Sequence, residues 1–312
     1  MKNTMLTSES GTGDPVDSHV PTSARRFARR SSLVHPRQGK IPAITRTLLS
    51  LFALGSLPCS AATLVGQWTF ENGSLADTTG NFVDLQLMGN NVAITNGALN
   101  VNGSGTTATG WAQTRGSASY PGVGGGLAIG SKTMVSWITL QGLQDIVRAG
   151  SAMTLGSVSS DKFDGIVFAE RDTNRWMNGS TDSSRSNSAG DFNQTAAVET
   201  TIGLNIVQLA ITYQITGLDV LISGYRNGVS MGSYTSAGQA ASWDLGDQQV
   251  IFGARAFWKG NIYGGLDALI HEARLYDGAL TQAEIGGLAM VPEPSAALLG
   301  GLGMLALLRR RR

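Results

Sequence analysis

The stretch that most constrains the fold is Lys132–Leu140, KTMVSWITL. It is rich in β-branched and aromatic residues and too short for a typical helix. Read with a period of two, Met134, Ser136 and Ile138 face one side and Val135, Trp137 and Thr139 the other. The same short-strand grammar runs from 63 to 290. Strands are expected at 64–70, 84–88, 98–102, 164–170, 205–214, 250–254 and 268–276. Residues 220–225 and 229–234, joined by Asn227-Gly228, form the clearest hairpin. Loops are expected at 117–130, which is glycine-rich, and at 181–195, which is polar. The one helix start is Thr281-Gln282-Ala283-Glu284, a capping box opening a helix to Ala289. Short strands without βαβ alternation imply an all-β chain. The expected fold is a two-sheet antiparallel sandwich spanning about 228 residues, with no internal repeat.

The two ends have different characters. Residues 1–40 are polar, with Arg25, Arg26, Arg29 and Arg30 forming a basic cluster. Arg46 then precedes an apolar run at 47–57, and Cys59-Ser60-Ala61-Ala62 supplies small residues. That order is a secretory signal, with cleavage expected after Ala61 or Ala62. Arg29-Arg30 also suggests a twin-arginine signal, but Ser32-Leu33 stands where Phe-Leu is expected. Cys59 suggests a lipoprotein, against which Pro58 makes a poor lipobox. At the other end, Val291, Pro292, Glu293, Pro294 and Ser295 break regular structure. An uncharged run follows at 296–308, shorter than the ~17–25 residues of a comfortable membrane span. Arg309, Arg310, Arg311 and Arg312 close the chain and favour a cytoplasmic C-terminus. Such a tail reads as a sorting signal rather than as a permanent anchor. The resulting division is a signal segment at 1–62, a sandwich at 63–290 and a sorting tail with a short hydrophobic transmembrane helix at 291–312.

Charge and chemistry narrow the function. Without residues 1–62 and the four terminal arginines, eleven Lys and Arg stand against nineteen Asp and Glu, a net charge of about −8. An acidic domain argues against nucleic acid and is compatible with hard cations such as calcium. The single cysteine lies in the signal, so the domain has no disulfide, thiolate nucleophile or cysteine-based zinc site. Its single histidine, His271, excludes a multi-histidine zinc site and would have to serve any Ser-His-Asp triad.

Two resemblances arise from these residues. Val291–Ser295, the Leu/Gly-rich run and the arginine cluster resemble, in order, the PEP-CTERM sorting signal. The resemblance implies export, recognition by an exosortase at the inner membrane after transient anchoring there, and release to the cell surface or an extracellular matrix. Trp68-Thr69-Phe70-Glu71 with Asp77 and Gly80-Asn81, and Met134-Val135-Ser136-Trp137-Ile138, resemble a concanavalin A-like, laminin-G-like jelly roll. So do Ala210-Ile211-Thr212-Tyr213, Tyr225-Arg226-Asn227-Gly228, Val250–Arg255, and Glu272–Thr281 with Glu284-Ile285. His271 departs from that pattern, since an Asp often precedes the glutamate there.

A glycosidase on this fold needs paired carboxylates across a cleft, and glucan-cleaving relatives carry a Glu-x-Asp-x-Glu strand. No such run is present. Glu170 and Asp172 share a face without a third acid. Asp77, Asn81 and Asp84 bracket a turn in which Asp77 is either a calcium ligand or the acceptor of an Asx turn. Trp68 and Trp137 are expected in the core; Trp111, Trp176, Trp243 and Trp258 lie nearer turns, where an exposed ring could stack on a sugar, although burial in the sandwich is the expectation for any one of them. The expectation is an exported, non-enzymatic binding or adhesion module for a glycan or protein. A glycoside hydrolase and a purely structural matrix component are the alternatives.

Overall fold

The structure, a computed structural model, describes residues 62–103, 106–114, 128–143, 150–180, 196–203, 205–258, 261–291 and Arg309. Its strands begin with β1 (Thr63–Trp68), β2 (Gln86–Gly89), β3 (Val92–Thr95), β4 (Ala98–Val101) and β5 (Gly110–Gln113). Next come β6 (Lys132–Leu140), β7 (Ser151–Ser157), β8 (Phe163–Phe168), β9 (Arg175–Ser180) and β10 (Ala196–Val198). Then follow β11 (Val207–Thr216), β12 (Asp219–Arg226), β13 (Val229–Ser236) and β14 (Gln248–Phe252). The last are β15 (Ala254–Trp258), β16 (Asn261–Gly265) and β17 (Ala268–Asp277), before helix α1 (Gln282–Gly287).

Two antiparallel sheets face each other. One runs β13-β12-β11-β6-β17-β4-β3, with β1 also paired to β17; the other runs β10-β9-β8-β7-β14-β5-β2. β15 and β16 form a separate hairpin. β6 lies in the middle of the first sheet, where its two-sided apolar pattern requires it to be. Met134 and Ile138 enter the inter-sheet core with Leu99, Ile166, Phe168 and Trp176. Each large side chain fully buried there stabilises the fold by about 1.5–3 kcal/mol. Trp68 packs its ring 5.5 Å from both Phe82 and Phe252, so the first strand is held by the core.

The opposite face of β6 is also covered. Val135 and Trp137 pack with Ala210, Tyr276, Leu280 and Ile285, and with Leu288 and Met290 at the edge. Helix α1 and the segment after it therefore roof part of the first sheet. Thr281 and Glu284 complete the expected capping box, with the Thr281 N–H donating to Glu284 Oε2 at 2.7 Å. The helix ends at Gly287, two residues short of the expected Ala289. The Asn227-Gly228 turn has φ of 52° and 72°, the paired positive values of a type I′ hairpin. A Cβ at Gly228 would stand 2.8 Å from the Gly286 Cα, so this hairpin tip is packed against α1.

Sequence reasoning missed β3, β5, β7, β9, β10, β15 and β16, and burial on both faces accounts for two of them. β7 (SAMTLGS) is buried at every position, and β9 (RWMNGS) at all but its first. Covered on both faces by small and polar residues, they show no alternation to read. The expected signal with Ala61, the loop at 181–195 and residues 117–127 of the other long loop lie outside the described residues. Pro292, Glu293, Pro294, Ser295, the apolar run and Arg310, Arg311 and Arg312 do so too. No helix of the described residues is long and apolar enough to cross a membrane.

Candidate functional site

Where the chain crosses from β10 to β11, it leaves a small pocket open to solvent. Ile138, Leu140 and Val207 supply an aliphatic wall; Thr201, Gly203, Asn205, Glu199 and Arg226 supply the polar side. The crossover is anchored at both ends, by Glu199 N–H to the Asn174 carbonyl at 2.8 Å and Gly203 N–H to the Leu140 carbonyl at 2.7 Å. Arg226 ends β12 and meets Glu199 through two hydrogen bonds, Nε to Oε1 at 2.7 Å and Nη2 to Oε2 at 2.9 Å. Those bonds from the carboxylate, outweighing partial burial, push the Arg226 guanidinium above its ordinary pKa. Val198, Ile202 and Ile206, neighbours in sequence of the lining residues, are exposed. An aliphatic wall beside a fixed guanidinium–carboxylate fork can hold a small polar group by shape and hydrogen bonding. Both Glu199 oxygens are engaged, so the pocket offers no free general acid or base.

Sequence reasoning missed this pocket. Glu199, in the crossover after β10, and Arg226, at the end of β12, are 27 residues apart, so no spacing rule joins them.

Asp77 is 6 % exposed and accepts five hydrogen bonds. Oδ1 receives the N–H groups of Gln67 at 2.8 Å and Thr79 at 3.0 Å. Oδ2 receives the Thr79 hydroxyl at 2.7 Å and the N–H groups of Asn81 at 2.9 Å and Phe82 at 3.0 Å. This is the Asx-turn arrangement. Calcium does not fit it, because N–H donors already converge on both oxygens and would repel a cation. Among the described residues no group of three or more His, Cys, Asp or Glu side chains is placed to hold a metal.

Glu170 and Glu272 are drawn into structural work. Glu170 pairs with Arg255 at 3.3 Å. Glu272 Oε1 accepts from Arg274 Nε at 2.6 Å and from Gln67 Nε2 at 2.8 Å. Its Oε2 accepts the Val291 N–H at 2.7 Å. Arg274 also lies 4.8 Å from the Trp137 ring, a cation–π contact, and donates to the Ala289 carbonyl at 2.6 Å. The segment just before Pro292 is thus strapped to the outer face of the first sheet. His271 stands at a bulge in β17, half-buried, with Nε2 2.9 Å from the Thr139 hydroxyl. Asp267 was not singled out in sequence. No hydrogen bond or ion pair reaches its carboxylate among the described residues, and partial burial raises its pKa above the usual carboxylate value.

The four tryptophans near turns do not share one fate. Trp176 and Trp243 are buried and cannot serve as sugar platforms. Trp111 is half-buried, its indole N–H donating to Gln113 at 2.9 Å. The Trp258 side chain lies outside the described residues.

No curated protein matches the chain in sequence. Among solved structures it is similar to a botulinum neurotoxin D/C binding domain in complex with SialylT, at 14 % identity and TM-score 0.40, covering 73 % of this chain and 50 % of that one. It is similar to Trypanosoma rangeli sialidase at 16 % identity and TM-score 0.44, covering 73 % and 32 %. It is also similar to a SAP-like pentraxin of Limulus polyphemus, at 14 % identity and TM-score 0.37, covering 51 % and 70 %. The chain spans about half the length of the toxin binding domain. The laminin-G-type model described as the concanavalin A-like lectin/glucanases superfamily matches residues 117–286. With that match over more than half its length, and two facing antiparallel sheets beneath it, the chain belongs to the concanavalin A-like lectin/glucanases superfamily.

Proposed function

We propose that this chain is an exported module, sorted by its C-terminal tail to the cell surface or an extracellular matrix, that binds a glycan or protein without cutting it. One observation carries the non-catalytic reading. The buried acids among the described residues are Asp77, Asp164, Glu170, Glu199 and Glu272, and each is tied to a structural partner. Glycoside hydrolysis needs two carboxylates poised across a cleft, one free to give a proton. Carboxylates already saturated by Arg, Lys or N–H donors are poor candidates for either role. The pocket between Glu199 and Asn205 is the binding surface we favour, since loops and crossovers on a rigid sandwich are where ligands are held.

The delivery half of the reading rests on the basic–apolar–small order before Ala62 and on the Val291–Arg312 pattern. A polysaccharide or protein of the surface, exosortase and the inner membrane are the partners it calls for.

The test incubates the purified chain with surface polysaccharides and measures retention and new reducing ends together. Retention without cleavage, weakened several-fold by Asn205→Ala with an unchanged melting temperature, is the expected result. Cleavage that disappears in Glu170→Gln or Glu272→Gln would replace this reading with the hydrolase.

A further inference from the structure

Lys132 and Asp164 face each other across the interior. β6 belongs to one sheet and β8 to the other; Lys132 Nζ lies 2.8 Å from Asp164 Oδ2, with the side chains 1 % and 2 % exposed. The lysine nitrogen sits 4.4 Å from the Tyr213 ring centroid and 4.1 Å from that of Trp243. Tyr234 donates to the buried Asn178 at 2.6 Å, and both phenols lie within the field of Asp164. Burial first, and then the Asp164 charge, raise the Tyr213 pKa. Burial is the leading cause for Tyr234 too, so both hydroxyls stay protonated beside the pair.

An ion pair removed from water loses the solvation of both ions, and these two side chains are almost wholly buried. Packing from both sheets fixes the two groups in contact. Groups so fixed react as if at effective molarities of about 10⁵–10⁸ M. In water an amide of this kind is hydrolysed because the resulting ions are solvated; here they would not be. The aromatic rings that enclose Nζ also exclude the water needed for the reverse step.

We propose that Lys132 and Asp164 condense to an amide cross-link between the two sheets. A proton passes from the ammonium to the carboxylate, leaving an amine and a carboxylic acid. Nζ then adds to Cγ, forming the C–N bond; the C–O bond of the acid hydroxyl breaks, and the hydroxyl leaves with the second amine proton as one water. Charge and atoms balance with no oxidant or cofactor. Residues 62–312 contain no cysteine, so an amide is the covalent tie this interior has the residues to make.

Peptide mapping of the full chain by mass spectrometry tests it. A branched peptide joining the Lys132 and Asp164 fragments, lighter than their sum by one water, is expected in the wild type and absent from Lys132→Arg. Recovery of only separate, full-mass fragments from folded wild-type chain overturns the proposal, whether or not any variant folds. A branched peptide of the same connectivity in Lys132→Arg would also overturn it, because the arginine chain lacks the amine.

Discussion

Glu272 and Val291 are joined by a 2.7 Å hydrogen bond from the Val291 N–H to Oε2, while Oε1 of the same carboxylate holds Arg274 at 2.6 Å. One side chain therefore ties the end of the domain to its central strand. Glu272→Ala would leave Arg274 buried without its counter-ion and free the strap. The expected cost is about 3–5 kcal/mol, read as a lower urea midpoint. Limited proteolysis should cut the segment after Leu288 earlier than in the wild type. An unchanged midpoint would show that the strap is peripheral.

Asp77→Ala removes the acceptor for five donors in one turn. Each buried donor left unsatisfied costs about 1–3 kcal/mol, though some will find water, so a loss of at least about 2 kcal/mol is expected. Millimolar calcium should leave the wild-type melting temperature where it is. A calcium-dependent rise that vanishes in Asp77→Ala would restore the metal reading.

Asp267 gives a pH dependence of definite sign. Partial burial raises its folded pKa above the unfolded value. The native state then binds more protons, so stability falls as pH rises from the unfolded value of about 3.9 through the raised folded one. Asp267→Asn removes this dependence and should be the more stable chain at neutral pH. Urea titrations of both chains at pH 4 and pH 7 read it directly. A wild-type stability gain specific to Asp267 over that interval would contradict the burial argument.

Processing is the fourth expectation. The exported protein, examined by mass spectrometry, should lack residues 1–61 and Arg309, Arg310, Arg311 and Arg312. Replacing Pro292, Glu293 and Pro294 by Ala should strand it at the inner membrane. Surface-released protein still ending in four arginines would defeat the sorting reading.

What could be read in advance followed local signals. β6 announced itself by its run of β-branched and aromatic residues, the β12–β13 hairpin by Asn227-Gly228, and α1 by Thr281 with Glu284, because each signal is carried by near neighbours in the chain. The buried β7 and β9 carry no such signal. The pocket depends on Glu199 of the β10–β11 crossover meeting Arg226, and the interior pair on Lys132 meeting Asp164 across the two sheets. Such meetings are set by topology, which periodicity does not encode. Trp176 looked like a turn residue because its strand is polar, yet its ring packs 4.7 Å from Phe168 inside the core.

β17 touches β6 on one side and β4 and β1 on the other, so it is the hub of the first sheet. It is also the last strand among the described residues; Gln67 on β1 and Glu272 on β17 are 205 residues apart. The first sheet consequently cannot close during synthesis, because its central member emerges from the ribosome after every neighbour. Such distant pairing slows folding. On the export proposed above, that delay would help the chain through a translocation channel, since its order of synthesis keeps it an open thread until the hub strand is complete.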